Sequence, residues 1–367
     1  MTNKSCLLIG AVLTIAFNIN KLQAQSTADR WIRPAHSKSA AIWGIKNGIV
    51  FSIWPSPIEG TDQENTGGPR GLIRVGYESK GTIYHINYLA VEPVVDDKME
   101  FSEISPSQID SRWGKLMWAG NDPTQTDYFP AAKTRGAISH PDSQHPGVEE
   151  LSVYLFMERF MNGAHPYLRL SIRSDRPEEL GIEIFNHKES ARMQRCAITA
   201  TMGNYSRLRN LYLKDGVVSA KELYKGFDGI DFIEKQSYPL QQMLRDDNAD
   251  FIAIAAPDED FASLTSWPQD KAYLAKAGWR YRPDVKFTQY WRKESAKYDP
   301  SLMIRVNGRA KYWSGASPNP NDYVNIPGGP AFENFELREN YYPGEKFYYG
   351  ITTKTPQQLV RSLKDKQ

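Results

Sequence analysis

Between residues 199 and 211 the chain places Thr199, Thr201, Gly203, Tyr205, Arg207 and Arg209 at every second position. Successive side chains of a strand point to opposite faces, so an unbroken strand here lines one face with hydroxyls, a phenol and two guanidiniums. A guanidinium is a planar fork that grips a carboxylate or sulfate through two hydrogen bonds, which suits an acidic sugar. Tyr205 and Arg207 are read as catalytic, with Asn204 and Arg209 as substrate contacts. The plainer reading is a solvated face bulged at Gly203.

Residues 83–92 form a second candidate. Alternation puts His85 and Asn87 beside Ile83, Leu89 and Val91, and sends Tyr84, Ile86, Tyr88 and Ala90 to a core face. A histidine next to an amide is a general base with an electrophilic partner, or else a half-buried side chain with satisfied nitrogens. Residues 332–338 supply carboxylates. Glu333 falls with Phe335 and Leu337, and a carboxyl on an apolar face has the raised pKa that a general acid needs. Glu336 shares its face with Asn334 and Phe332, and Glu92 closes the earlier run. Glycosidases need two carboxyl groups at a set separation, which no short motif here fixes. Surface ion pairing of Glu336, Arg338 and Glu339 is the bland alternative.

Metal signals are weak. His140 and His145 share a loop with Asp142 but lack a third ligand fixed by spacing. Asp246, Asn248 and Asp250 open like a calcium loop, yet Phe251 and Pro257 stand where its glycine and glutamate belong. No metal centre or cofactor is predicted beyond that faint structural-calcium signal. A Gly-x-Ser-x-Gly elbow, a Walker loop and a dinucleotide fingerprint are all absent, which sets aside the chemistries they serve.

The elements that must position these residues read as strands. Asn47-Gly48, Asp215-Gly216 and Asn307-Gly308 each separate apolar runs, and such pairs tolerate the positive φ of a two-residue hairpin turn. Strand-like runs cover 83–91, 151–160, 167–172, 182–185, 196–202, 251–255, 332–337 and 347–351. Helical signals are short, at 239–245 and 270–277. The predicted class is all-β: an antiparallel two-sheet β-sandwich, jelly roll or supersandwich, with a few short helices. Long loops at 56–70, 120–147 and 314–331 have the length of functional loops.

Lys4, an apolar run to Phe17 and the small-residue exit at Ala24 read as a secretory signal over 1–24, too short to span a membrane. This predicts a secreted or periplasmic protein without a membrane span in the mature chain. A linker follows over 25–39, then one sandwich domain over 40–355 and a peripheral charged tail over 356–367. Cys6 leaves with the signal, so Cys196 has no disulfide partner and reads as buried packing. A net charge of +2 without a basic stripe gives no steering toward nucleic acid. Abundant aromatics, 9 Trp and 20 Tyr, suit either sheet packing or the flat faces of sugars. Trp54, Trp118 and Trp313 are the candidate exposed platforms.

In residue types and architecture the chain resembles secreted bacterial β-sandwich proteins that process polysaccharides, jelly-roll polysaccharide lyases above all. Those line a concave sheet with Arg, Gln or Asn, His and Tyr, for which Arg207, Arg209, Asn87, His85 and Tyr205 stand here. Glu336-Leu337-Arg338 is similar to part of the Arg-x-Glu-Leu-Arg strand of alginate-lyase-like proteins. Asn334 replaces the first Arg, the segment sits near the C-terminus, and Gln-Ile-His is missing. The resemblance implies β-elimination on a uronic-acid-containing glycan. Arg207 or Arg209 with Asn87 would neutralise the carboxylate, and His85 or Tyr205 would take the C5 proton. Two alternatives stay open: a glycoside hydrolase using Glu333, Glu336 or Glu92, and a non-catalytic carbohydrate-binding or surface-assembly protein. The expected partner is a poly- or oligosaccharide.

Overall fold

A computed structural model describes residues 30–36, 39–53, 70–124, 134–201, 206–229, 235–258, 278–281, 285–313 and 323–366. The signal over 1–24, Trp54, Asn204, Tyr205, the 270–277 helix and most of the 56–70 loop lie outside these residues, as does the Trp313 side chain.

Each predicted strand run contains a strand, and the described strands form two sheets of 11 and a two-stranded ribbon of Lys311–Trp313 with Tyr323–Asn325. The first sheet runs Trp31–Ile32, Ile42–Ile45, Ile49–Ile53, Leu72–Ser79, Thr82–Val95, Arg195–Thr201, Ala331–Arg338, Met303–Arg309, Gln236–Pro239. Lys98–Met99 and Trp279–Arg280 add to its Thr82–Val95 strand. The second runs Gly216–Ser219, Leu208–Leu213, Phe251–Pro257, Thr288–Lys293, Glu345–Thr352, Glu179–Asn186, Pro166–Arg173, Glu150–Met157, Met117–Gly120. Leu244–Arg245 and Ala137–Ser139 pair off its path. All pairings are antiparallel except that of Trp279–Arg280 with Ile83 and Tyr84. The protein is an all-β two-sheet sandwich.

Alternation builds the core. Leu89 and Val91, Cys196 and Ile198, Phe335 and Leu337 face inward from the first sheet; Leu168, Ile182 and Phe347 belong to the same cluster from the second. Burying an aliphatic or aromatic side chain of this size contributes about 1.5–3 kcal/mol. A polar tie crosses this interior: the Asn87 amide donates to Gln289 Oε1 at 2.9 Å, the Tyr349 hydroxyl donates to the same oxygen, and Trp291 Nε1 donates to the Phe335 carbonyl at 2.9 Å. Buried polar groups are tolerated when bonded in this way.

Two of the three expected hairpins form. Asn47 takes a φ of 54° between Ile42–Ile45 and Ile49–Ile53, and Leu213 pairs with Gly216 across the second turn. Asn307-Gly308 does not turn: the strand Met303–Arg309 runs through it, with a register shift against Ala331–Arg338. Glycine is needed there for a different reason, because a Cβ on Gly308 would lie 2.2 Å from the Tyr224 ring. Part of the segment read as a linker and part of the tail read as peripheral pack onto the sandwich. Trp31–Ile32 joins the first sheet, and Val360 and Leu363 pack against Leu244, Ile252 and Ile254. The charged tail therefore closes a secondary core. No helix among the described residues is long and apolar enough to cross a membrane.

Candidate functional site

The expected continuous face from Thr199 to Arg209 does not exist. The chain leaves the first sheet at Thr201 and enters the second at Leu208. Between them Arg207 sits in a turn with a φ of 55°, and the Ser206 hydroxyl donates to the Ile86 carbonyl. Arg209, at a second register shift, is fully buried. Its guanidinium donates to Asp258 at 3.1 Å and to the carbonyls of Pro327, Gly329 and Pro330. The expected substrate contact is a clamp on a loop of this chain.

His85 and Asn87 are also parted. A register shift opposite Val75 and Gly76 leaves Ile86 as an extra residue, so the alternation reverses. Asn87 turns inward to Gln289, whereas Tyr88 and Ala90, expected in the core, form an outward cluster with Leu72. His85 contacts the rings of Tyr88, Trp279 and Tyr281, at centroid distances of 4.3, 5.9 and 5.3 Å. Neither imidazole nitrogen has a hydrogen-bond partner. Burial, aided by the Arg74 charge, holds its pKa well below the ordinary value, so the ring is a neutral base.

The carboxylates do converge. Glu92, Thr199, Glu336 and Arg305 come from four adjacent strands and share the outward face of the first sheet. Arg305 Nε lies 2.6 Å from Glu336, and its Nη2 lies 3.7 Å from Glu92. The Thr199 hydroxyl donates to Glu336, and Arg338 approaches the same carboxylate at 3.6 Å. Glu333 was expected on the apolar side. The shift at Asn307/Gly308 makes it the extra residue, brings it 3.8 Å from Arg309 and leaves it buried. Asn334, its neighbour, accepts from the Thr201 hydroxyl at 2.8 Å.

Sequence reasoning missed a fourth carboxylate, Glu103, because it lies on an irregular loop with no periodicity to mark it. Its charge is felt by Glu92, and Glu333 in turn acts on it. Burial lifts Glu103 to about 7, with Glu333 adding to the rise. Burial lifts Glu333 to about 7 against the pull of Arg309. Glu92 is pushed well above the usual carboxylate range by burial first, then by the Glu336 and Glu103 charges. Like charges gathered in a poorly solvated place cannot all ionise cheaply, so protons are retained into the neutral range. The cluster thus offers neutral acids beside an ion-paired carboxylate, the two roles that acid–base cleavage requires.

Of the aromatic platforms, Trp118 is buried and joins a cross-strand row. Phe185, Tyr167, Phe156 and Trp118 stack at centroid distances of 5.2, 5.6 and 6.4 Å on the outward face of the second sheet. Among the described residues the most exposed tryptophan is Trp113, at 74% on the loop that carries Glu103. Its surroundings of Ser, Gln and Arg gave no sequence signal. The calcium-like run is a tight turn: Asp246 accepts from the backbone of Asn248 and Asp250, and Asp250 bonds Arg292 at 2.7 Å. His145 pairs with Asp142 at 2.7 Å, exposed and apart from the carboxylate cluster.

Compared with protein-family models, curated proteins and solved structures, the chain matches none. The class that fold and site define is an antiparallel two-sheet sandwich with a carboxylate-rich outward face.

Proposed function

We propose that this is a secreted glycan-degrading enzyme that hydrolyses glycosidic bonds on the outward face of the first sheet. The observation that carries the reading is the convergence of Glu92, Glu103, Glu333 and Glu336, with Glu103 and Glu333 both titrating at about 7. A carboxyl still protonated near neutrality donates its proton to the departing glycosidic oxygen. A neighbouring carboxylate then acts as base on water or as nucleophile, according to the separation of the pair. Glu333 and Glu103 are the candidate acids. Glu336, oriented by Arg305, Arg338 and Thr199, is the candidate carboxylate. The same guanidiniums favour an acidic glycan. Export rests on the signal-like segment over 1–24.

A second reading keeps β-elimination, with different residues from those expected. His85 is neutral with both nitrogens unpartnered, Tyr88 stands 4.3 Å away by ring centroids, and Arg74 lies 5.9 Å above the Tyr88 ring. A base, a phenol and a guanidinium on one face are the groups that elimination uses.

Incubation with a panel of neutral and uronate polysaccharides separates the readings. Hydrolysis releases reducing ends without the ultraviolet absorbance of an unsaturated sugar, and Glu333→Gln or Glu103→Gln abolishes it. Absorbing products lost in His85→Gln would transfer the assignment to elimination. Glycan binding without turnover on any polymer would overturn both in favour of a binding protein.

A further inference from the structure

On the outward face of the second sheet, at the end of its aromatic row, His165 and His187 flank the paired strands Pro166–Arg173 and Glu179–Asn186. Their rings lie 4.1 Å apart, and Glu189 follows two residues on. One ligand atom from each of His165, His187 and Glu189 falls within 4.8 Å of the others. The backbone fixes this corner. His187 N donates to the His165 carbonyl at 3.0 Å, Ser190 N to the His187 carbonyl at 3.0 Å, and His165 N to the Ser190 hydroxyl at 2.9 Å.

The proton inventory points to a cation. His165 Nε2 lies 3.0 Å from the Met157 carbonyl, which can only accept, so Nε2 carries a proton. In the neutral ring Nδ1 then presents a lone pair, and it faces the Glu189 carboxylate at 2.6 Å. Two acceptors at that distance need a positive partner between them, either a second proton on His165 or a metal ion. His187 Nε2 is buried and has no hydrogen-bond partner at all. A ligating histidine that donates its other N–H to a backbone carbonyl is the usual arrangement around a metal.

We propose that His165, His187 and Glu189 form a binding site for a borderline divalent ion of the zinc type. Two imidazoles and one carboxylate suit zinc, with the fourth position open to water. Tetrahedral donors about 2.1 Å from zinc stand roughly 3.4 Å from one another, so closing the site needs shifts of about 1 Å. Glu189, with its side chain 57% exposed, has room to supply them. The ion would staple two strand ends in a chain whose described residues hold a single free cysteine.

The test is zinc titration by calorimetry into the full chain after chelator treatment, paired with thermal unfolding and with cobalt(II) absorption. The expected result is one equivalent bound at micromolar or tighter affinity, a rise in Tm with zinc, and a tetrahedral cobalt spectrum. Glu189→Ala and His187→Gln should each weaken binding by at least about tenfold, whereas His145→Gln should leave it unchanged. Glu189 is exposed, so its variant tests the site even if His187→Gln fails to fold. Absence of zinc binding, or binding indifferent to Glu189→Ala, would reduce the cluster to a histidine–carboxylate hydrogen bond and overturn the proposal.

Discussion

Glu333 retains a proton that the unfolded chain would release, and that couples activity to stability. Its carboxyl moves from an ordinary value of 4.5 to about 7 on folding. Between those values the native state binds more protons than the unfolded state, so stability falls as pH rises across the window. A shift of this size corresponds to about 3 kcal/mol for a group this well buried. Glu333→Gln has no proton to lose. Denaturant unfolding at pH 5 and pH 8 should therefore show the variant gaining about 2–3 kcal/mol on the wild type between the two. Equal pH slopes in both proteins would refute the burial argument. If Glu333 is the acid, the wild type should lose turnover as pH rises through about 7, while the variant is inactive throughout. A sequence reading reached the raised pKa of this residue by assuming an apolar face. A bulge puts it on the outward face instead, where burial still raises it against the pull of Arg309, and Glu103, with no regular strand to mark it, was invisible.

Elements were legible wherever alternation ran undisturbed and illegible at register shifts. Strands such as Pro166–Arg173 and Glu345–Thr352 keep period two, and both their positions and inward residues follow from the sequence. One extra residue at Ile86 reverses the facing of His85 against Asn87, and another at Glu333 brings a carboxylate outward. A bulge needs only a single unpaired residue, and no residue type at Ile86 or Glu333 advertises it. The change of sheet between Thr201 and Leu208 undid the Arg207–Arg209 face in the same way. Arg209 is consequently a structural residue: its fully buried guanidinium ties Asp258 and the Pro327–Pro330 carbonyls to the second sheet. Arg209→Met keeps the stem but leaves those carbonyls without their donors and Asp258 with Lys221 alone, and it should cost about 1–3 kcal/mol in urea unfolding. An unchanged denaturation midpoint would show that the clamp contributes nothing.

At the scale of the whole molecule, two large sheets close on one interior, and Cys196 reports on that closure. Burial, then the Glu345 and Glu92 charges, raise its thiol well above the ordinary value, so no thiolate is present at neutral pH. Its strand, Arg195–Thr201, lies between Thr82–Val95 and Ala331–Arg338, paired on both sides. Reaching the sulfur requires parting the first sheet and lifting it from the second, so exposure should accompany global unfolding and not local fraying. In a Cys6→Ser chain, modification by a thiol reagent should be slow in native buffer. Its free energy of opening should fall with denaturant at the slope of the equilibrium transition. Reductant should leave Tm unchanged, since Cys196 has no thiol partner in that chain. Rapid labelling with no denaturant dependence would mean that the central strands open separately. The sandwich would then be two weakly coupled layers, and the carboxylate face would be free to rearrange without disturbing the second sheet.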